Sequence, residues 1–512
     1  MPDLTIVADT DLGRVRGERT GPAIRFRGLR YGRSTGGKAR FLPPSSPEPR
    51  AGITDAVRPG ASAPQQLLPA YADAFMGWYS ETRPQSEDCL FLNVFTPACD
   101  RGRRPVMVWL HGGGWMNFAS TAPGFDATAL AAAEDVVVVS PNHRLGAFGH
   151  LAAGGDARFR DAGNAGLLDM VLALDWVQRN AAAFGGDPGN VCLFGQSGGA
   201  SKVAALMAMP AAQGLFHKAV IQSCSGGIRI TEPDEAERLA HVLATALGRD
   251  RADGAALQDV PMARMLDALA GVPGVFRPVI DGRRFTRHPF DPDAPEPSRG
   301  IPLMIGCTET ESAAYLYRDP GNFRLDLDSL RRRLARFLGI DPPEVERIIA
   351  AYRSDRPAAT ASDILVAVTT DQLFKRNTYR IAERHARQAP VWAYVFARPT
   401  PVMGGVLGAP HCSEVPFVFG TTGVAAAHVG DGPDVKEMER RMMATWAAFA
   451  RSGSPANDAL PEWRPYSDAD RPVMALSRAP QLLSDPGATA RAALDPLPIY
   501  EYGTSRANFA SD

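Results

Sequence analysis

The chain has 512 residues, 45% hydrophobic and 22% charged, which is the usage of a globular protein with a sizeable core and excludes disordered and fibrous classes. Lys and Arg number 55 against 56 Asp and Glu, so a formal charge of -1 offers no field to attract nucleic acid or an anionic membrane surface. The first nine residues carry acids and no basic-then-apolar pattern, so no secretory leader is expected, and no apolar run has the length of a membrane span. The cysteines at 89, 99, 192, 224, 307 and 412 show neither CxxC nor Cys/His metal spacing and read as small buried hydrophobes in a reduced, cytoplasmic setting.

Along the chain, β-like segments occur around 13–17 and 24–26, and 40–84 is loop-rich in Pro, Ala and Gly. From residue 90 onward, short apolar runs at 105–110, 136–139, 190–194, 219–222 and 302–305 alternate with helical stretches, notably 165–183 and 197–209. Continuous β-branched runs belong to strands buried on both faces, so the rhythm predicts an α/β fold with a large, mostly parallel sheet flanked by helices. Its ligand site is expected beyond the carboxyl ends of the strands. Segments 236–247, 255–269 and 327–353 read as helical insertions over that end of the sheet. Val435, Met438, Met442, Trp446 and Phe449 recur at spacings of three and four, the stripe of a helix packed on the sheet.

Gly195-Gln196-Ser197-Gly198-Gly199 follows the apolar run 191–194 and precedes a helix-forming stretch. Gly-X-Ser-X-Gly in that context is a nucleophile elbow, whose tight turn excludes large side chains beside the serine. His111-Gly112-Gly113-Gly114 follows the run 105–110, and consecutive glycines lose ordering entropy that only a functional loop justifies. The N–H groups of Gly113, Gly114 and Gly198 are the expected oxyanion-hole donors. His111 stands beside that hole and reads as a brace for the loop. Trp115, Phe118, Tyr315, Met403 and Leu407 are the expected pocket lining.

These residues resemble the type-B carboxylesterase and cholinesterase-like family of α/β hydrolases. Ser86-Glu87-Asp88-Cys89-Leu90-Phe91-Leu92-Asn93-Val94 is similar to one family signature, and Phe184-Gly185-Gly186-Asp187-Pro188 leading into Phe194–Gly199 to the active-serine signature. Residues 142–149, 214–216, 222–223 and 463–466 also match, so the resemblance covers most of the chain and implies one α/β-hydrolase domain over 1–512. It implies a glutamate acid at Glu311, within Ile305-Gly306-Cys307-Thr308-Glu309-Thr310-Glu311, and a histidine base at His411, within Gly408-Ala409-Pro410-His411-Cys412-Ser413-Glu414. It further implies that Ser223 hydrogen-bonds Glu311, and that Arg40 pairs with Glu87 and Arg144 with Asp169. Two departures stand out: Cys89 has no upstream cysteine partner, and Gln196 stands where many members carry glutamate.

The expected reaction is hydrolysis of a small-molecule carboxylic ester through an acyl-enzyme on Ser197, with His411 as base, Glu311 as its support and no metal or organic cofactor. The same residues suit an amide, carbamate, thioester or lactone, or acyl transfer to another alcohol. A catalytically dead binding protein is the remote alternative, because this fold also serves adhesion. Nothing in the sequence specifies an oligomer.

Overall fold

The computed structural model describes residues 6–66, 76–80 and 84–501. The start of the N-terminal segment and parts of the loop-rich stretch 40–84 lie outside these residues.

Fourteen strands occur among the described residues: β1 (Val7–Thr10), β2 (Gly13–Arg16), β3 (Glu18–Thr20), β4 (Ala23–Arg30), β5 (Ile53–Asp55), β6 (Phe91–Thr96), β7 (Arg104–Leu110), β8 (Val137–Pro141), β9 (Gly186–Gln196), β10 (Lys218–Gln222), β11 (Leu303–Thr308), β12 (Val391–Phe396), β13 (Pro472–Leu476) and β14 (Gln481–Ser484). Eleven of them form one sheet in the order β14-β13-β12-β11-β10-β9-β7-β8-β6-β4-β3, and β1, β2 and β5 make a small separate sheet. The seven strands from β8 to β13 pair in parallel, and antiparallel neighbours close both edges. The predicted parallel core is therefore present, and β5 lies inside a stretch expected to be loop.

Alternation along each parallel strand feeds two separate cores, because successive side chains point to opposite faces. Met107, Trp109, Phe194, Val220 and Met304 enter one, together with the stripe of the helix Pro433–Ser452. Val106, Val108, Leu193, Ile221 and Ile305 enter the other, against the helices Ala165–Asn180 and Gly198–Met207.

Two of the stretches expected to be helical each hold two helices. In 327–353, Gly339 ends the helix Leu327–Leu338 at φ 66°, and Asp341 caps Pro342–Asp355 by accepting from Glu344 N–H. Proline is tolerated in a first turn but not inside a helix, so Pro342 and Pro343 mark a start. In 255–269, Pro261 likewise separates Gly254–Gln258 from Met262–Leu269.

Because β8 and β9 lie on opposite sides of β7, the strand order reverses there, which is where a doubly wound sheet opens a ligand crevice. Register places Leu110 opposite Gly195 and Gln196 opposite Gln222, so the loops after β7, β9 and β10 emerge side by side.

Candidate active site

Ser197 follows the last residue of β9 and precedes the helix Gly198–Met207, with φ 57° and ψ -122°. Non-glycine residues avoid that region, and the turn exists because its neighbours carry no side chain. A Cβ on Gly195 would strike the Gly199 carbonyl, and one on Gly199 would overlap the Leu110 carbonyl oxygen. Ser197 is half-buried at the N-terminus of its helix.

The glycine loop after β7 sits against this elbow. A Cβ on Gly112 would overlap the Tyr79 hydroxyl, one on Gly113 (φ 88°) the Asn117 carbonyl, and one on Gly198 the backbone nitrogen of Gly114. In a trans peptide the carbonyl and the following N–H point in opposite directions, so the carbonyls report where the N–H groups aim. The Gly113 carbonyl accepts from Met116 N–H at 2.9 Å and Asn117 N–H at 3.1 Å, and the Ser197 carbonyl from Ser201 N–H at 3.1 Å. The Gly114 and Gly198 N–H groups are thereby turned away from these acceptors. His111 Nδ1 lies 3.0 Å from the Gly112 carbonyl, the bracing contact expected of it.

Glu311 and His411 come from the loops after β11 and β12. Glu311 is fully buried; its Oε1 accepts from Thr308 N–H at 2.7 Å, and its Oε2 contacts His411 Nδ1. Glu309 is exposed, and the turn that begins there, directly after β11, separates it from the buried Glu311 two residues on. Burial works against the His411 imidazolium, but the neighbouring Cys412 and the Glu311 carboxylate outweigh it and hold the pKa well above the ordinary value. The other ring nitrogen, Nε2, lies 3.2 Å from Gln196 Nε2. Among the described residues Ser197 makes no side-chain hydrogen bond to His411.

The expected bond from Ser223 to Glu311 is not formed. Ser223 Oγ is buried without a partner, while the two carboxylate oxygens of Glu311 are engaged by Thr308 N–H and His411. Both ion pairs are present: Arg40 Nε reaches Glu87 at 2.7 Å, and Arg144 reaches Asp169 through Nε at 2.9 Å and Nη2 at 2.6 Å.

The five expected lining residues separate. Tyr315 is 40% exposed with its ring 5.6 Å from that of His411, and Phe118 packs edge-on against Tyr79 at 4.8 Å. Met403, at 43% exposure, lies on the loop between β12 and His411. Trp115 and Leu407 are buried in the core, Trp115 against His150 at 5.2 Å. Two further aromatics that the sequence did not single out reach the site. Tyr79 donates to Gln196 Oε1 at 2.8 Å, and Phe374, on the wide turn Asp371–Lys375 of the insertion between β11 and β12, lies 4.9 Å from the His411 ring.

An elbow serine, a glycine loop and a buried carboxylate–imidazole pair at the carboxyl edge of this sheet define an α/β hydrolase. The carboxylesterase family model matches residues 5–493. A para-nitrobenzyl esterase of Bacillus subtilis is 34% identical over 505 residues, covering 96% of this chain and 98% of its own, and a phenmedipham hydrolase of Pseudarthrobacter oxydans is 34% identical over 483 residues, covering 91% and 94%. A solved carboxylesterase of Geobacillus stearothermophilus superposes with a TM-score of 0.82 at 34% identity, over 95% of this chain and 99% of that one. The chain belongs to the carboxylesterase family. It is a hydrolase acting on carboxylic esters. No helix among the described residues is long and apolar enough to cross a membrane.

Proposed function

We propose that Ser197 is the nucleophile of this esterase, His411 its general base and Glu311 the acid that orients the imidazole. The observation that carries this reading is the contact of His411 Nδ1 with buried Glu311, which leaves Nε2 beside Gln196, the residue before Ser197 in the elbow. Nε2 takes the Ser197 proton as Oγ attacks the ester carbonyl, and Glu311 stabilises the imidazolium. The N–H groups of Gly113, Gly114 and Gly198 receive the charge that develops on the carbonyl oxygen. His411 then protonates the departing alcohol, and water, deprotonated by the same nitrogen, releases the acid from the acyl-serine.

Tyr315 and Phe374 flank His411 with apolar rings, which suits an ester carrying an aryl or alkyl group. The six free thiols fit a reducing cytoplasm, a placement that cell fractionation tests. For the chemistry, a fluorophosphonate probe should label the protein once, and Ser197→Ala should abolish labelling and lower turnover by several orders of magnitude. Labelling that survives in Ser197→Ala would reject the assignment. Rates on esters of increasing acyl length, beside matched amides and carbamates, decide the breadth of the reaction.

A further inference from the structure

Lys202 lies five residues beyond Ser197 on the helix Gly198–Met207 and is fully buried. Its amine donates to the carbonyl oxygens of His111 at 2.8 Å and Gly112 at 3.4 Å, and it stands 5.7 Å from the centre of the Trp115 ring. No carboxylate pairs with it among the described residues. The titratable groups around it, His111, His143 and His150, are held neutral by burial and by Lys202 itself. Burial likewise pushes the lysine well below its ordinary range. A methionine would fill this volume without desolvating a polar group, so packing does not account for an amine here.

The two carbonyls it holds explain the position. Both belong to trans peptides, so fixing the Gly112 carbonyl from behind, where His111 Nδ1 also meets it, aims the Gly113 N–H the opposite way. The carbonyls preceding the Gly114 and Gly198 donors are held by neutral backbone N–H groups. Of the three donor peptides, only the Gly112–Gly113 unit has its carbonyl met by side chains, His111 Nδ1 at 3.0 Å and the Lys202 amine at 3.4 Å.

We propose that Lys202 is a positioning residue of the oxyanion loop: its amine donates to the His111 and Gly112 carbonyls and, together with His111 Nδ1, fixes the loop so that Gly113 N–H faces the reacting ester carbonyl. This rests on the reading of Gly113 as part of the oxyanion hole. Lys202 touches no substrate and acts through the peptide it holds.

The test compares Lys202→Met and Lys202→Gln with the wild-type enzyme for kcat and KM on a soluble aryl ester, for the affinity of a trifluoromethyl ketone that adds to the serine, and for melting temperature. Lys202→Met should lose roughly tenfold to a hundredfold in kcat and weaken the ketone in step, with KM within about threefold. Its melting temperature should hold or rise, which a purely structural role would not give. Retention of kcat and ketone affinity within about twofold overturns the proposal, as does a loss of kcat that leaves ketone affinity unchanged. If Lys202→Met does not fold, Lys202→Gln decides, because it keeps a polar donor on a side chain too short to hold both carbonyls. It should bind the ketone roughly tenfold more weakly, and unchanged binding overturns the proposal. Fluorophosphonate should still label Ser197 in either variant, more slowly; wild-type labelling that persists in Ser197→Ala would instead reject the triad on which the proposal rests.

Discussion

Gln196 and His411 meet through nitrogen: the side-chain amide of one lies 3.2 Å from the outer imidazole nitrogen of the other, and the same amide nitrogen donates to Cys412 Sγ at 3.2 Å. Tyr79 decides which end of the amide faces the ring, because its hydroxyl donates to Gln196 Oε1. The imidazole therefore accepts at Nε2 and carries its proton on Nδ1, toward Glu311. Many family members have glutamate at this position, which would present a carboxylate to the same nitrogen.

Gln196→Glu should accordingly favour the imidazolium. The acid limb of kcat/KM is expected to move toward alkaline pH by about one unit, since an opposite charge at this range stabilises the protonated ring. The plateau above it should change little. A limb that stays in place or moves to lower pH in the measured profile would contradict the contact.

The wild-type acid limb itself should lie above the ~6.5 of a free histidine, because the base must be neutral and its pKa in the fold is raised. Glu311→Gln should lower that midpoint and remove most turnover, as the imidazolium loses its counter-charge and its fixed orientation. Exposed Glu309→Gln should be nearly silent in both. Paired profiles showing the reverse pattern would move the acid to Glu309 and leave Ser197 and His411 untouched.

Asp169 and Arg144 are 0% and 1% exposed, so removing one partner strands a buried charge. Asp169→Ala should destabilise the protein by about 3 to 5 kcal/mol in denaturant unfolding, whereas Glu346→Ala, which breaks an exposed, solvent-screened pair with Arg331, should cost far less. Equal losses would show that burial is not what separates the two.

Glu414 is buried beneath the site, where Gln222 Nε2 donates to it at 3.2 Å, and burial followed by the nearby Glu311 charge pushes its pKa up to about 7. A raised carboxyl pKa means that the folded protein holds a proton the unfolded chain gives up from about pH 4.5 upward. Its contribution is intact below that pH and is lost as pH rises through about 7, to a total of roughly 3 kcal/mol. Glu414→Gln should gain stability relative to wild type between pH 5 and pH 8. A stability difference independent of pH would refute the shift.

Much of this was legible in the residues because the elbow is local: Gly195 and Gly199 are demanded by collisions within a few residues or one strand away. The parallel core was legible for the same reason, as runs such as 105–110 and 190–194 bury both faces. What stayed hidden depends on distant packing. Strands β12 to β14 carry no motif, Tyr79 and Phe374 join the site only through tertiary contact, and Trp115 faces the core because the loop turns it inward at φ 72°. Motif position suggested Ser223 as a partner of Glu311, and only the side-chain arrangement removes it.

The backbone of Ser197 is one that a residue without a side chain would hold at lower cost. Stability and turnover therefore pull position 197 in opposite directions. A lineage released from its need for ester hydrolysis would drift toward glycine there and gain a sturdier, inert fold, while threonine, branched at Cβ, is closed to it although it keeps a hydroxyl. Serine at such an angle is in this sense a record of use: its presence reports that the chain has been selected for what it does and not only for how well it folds.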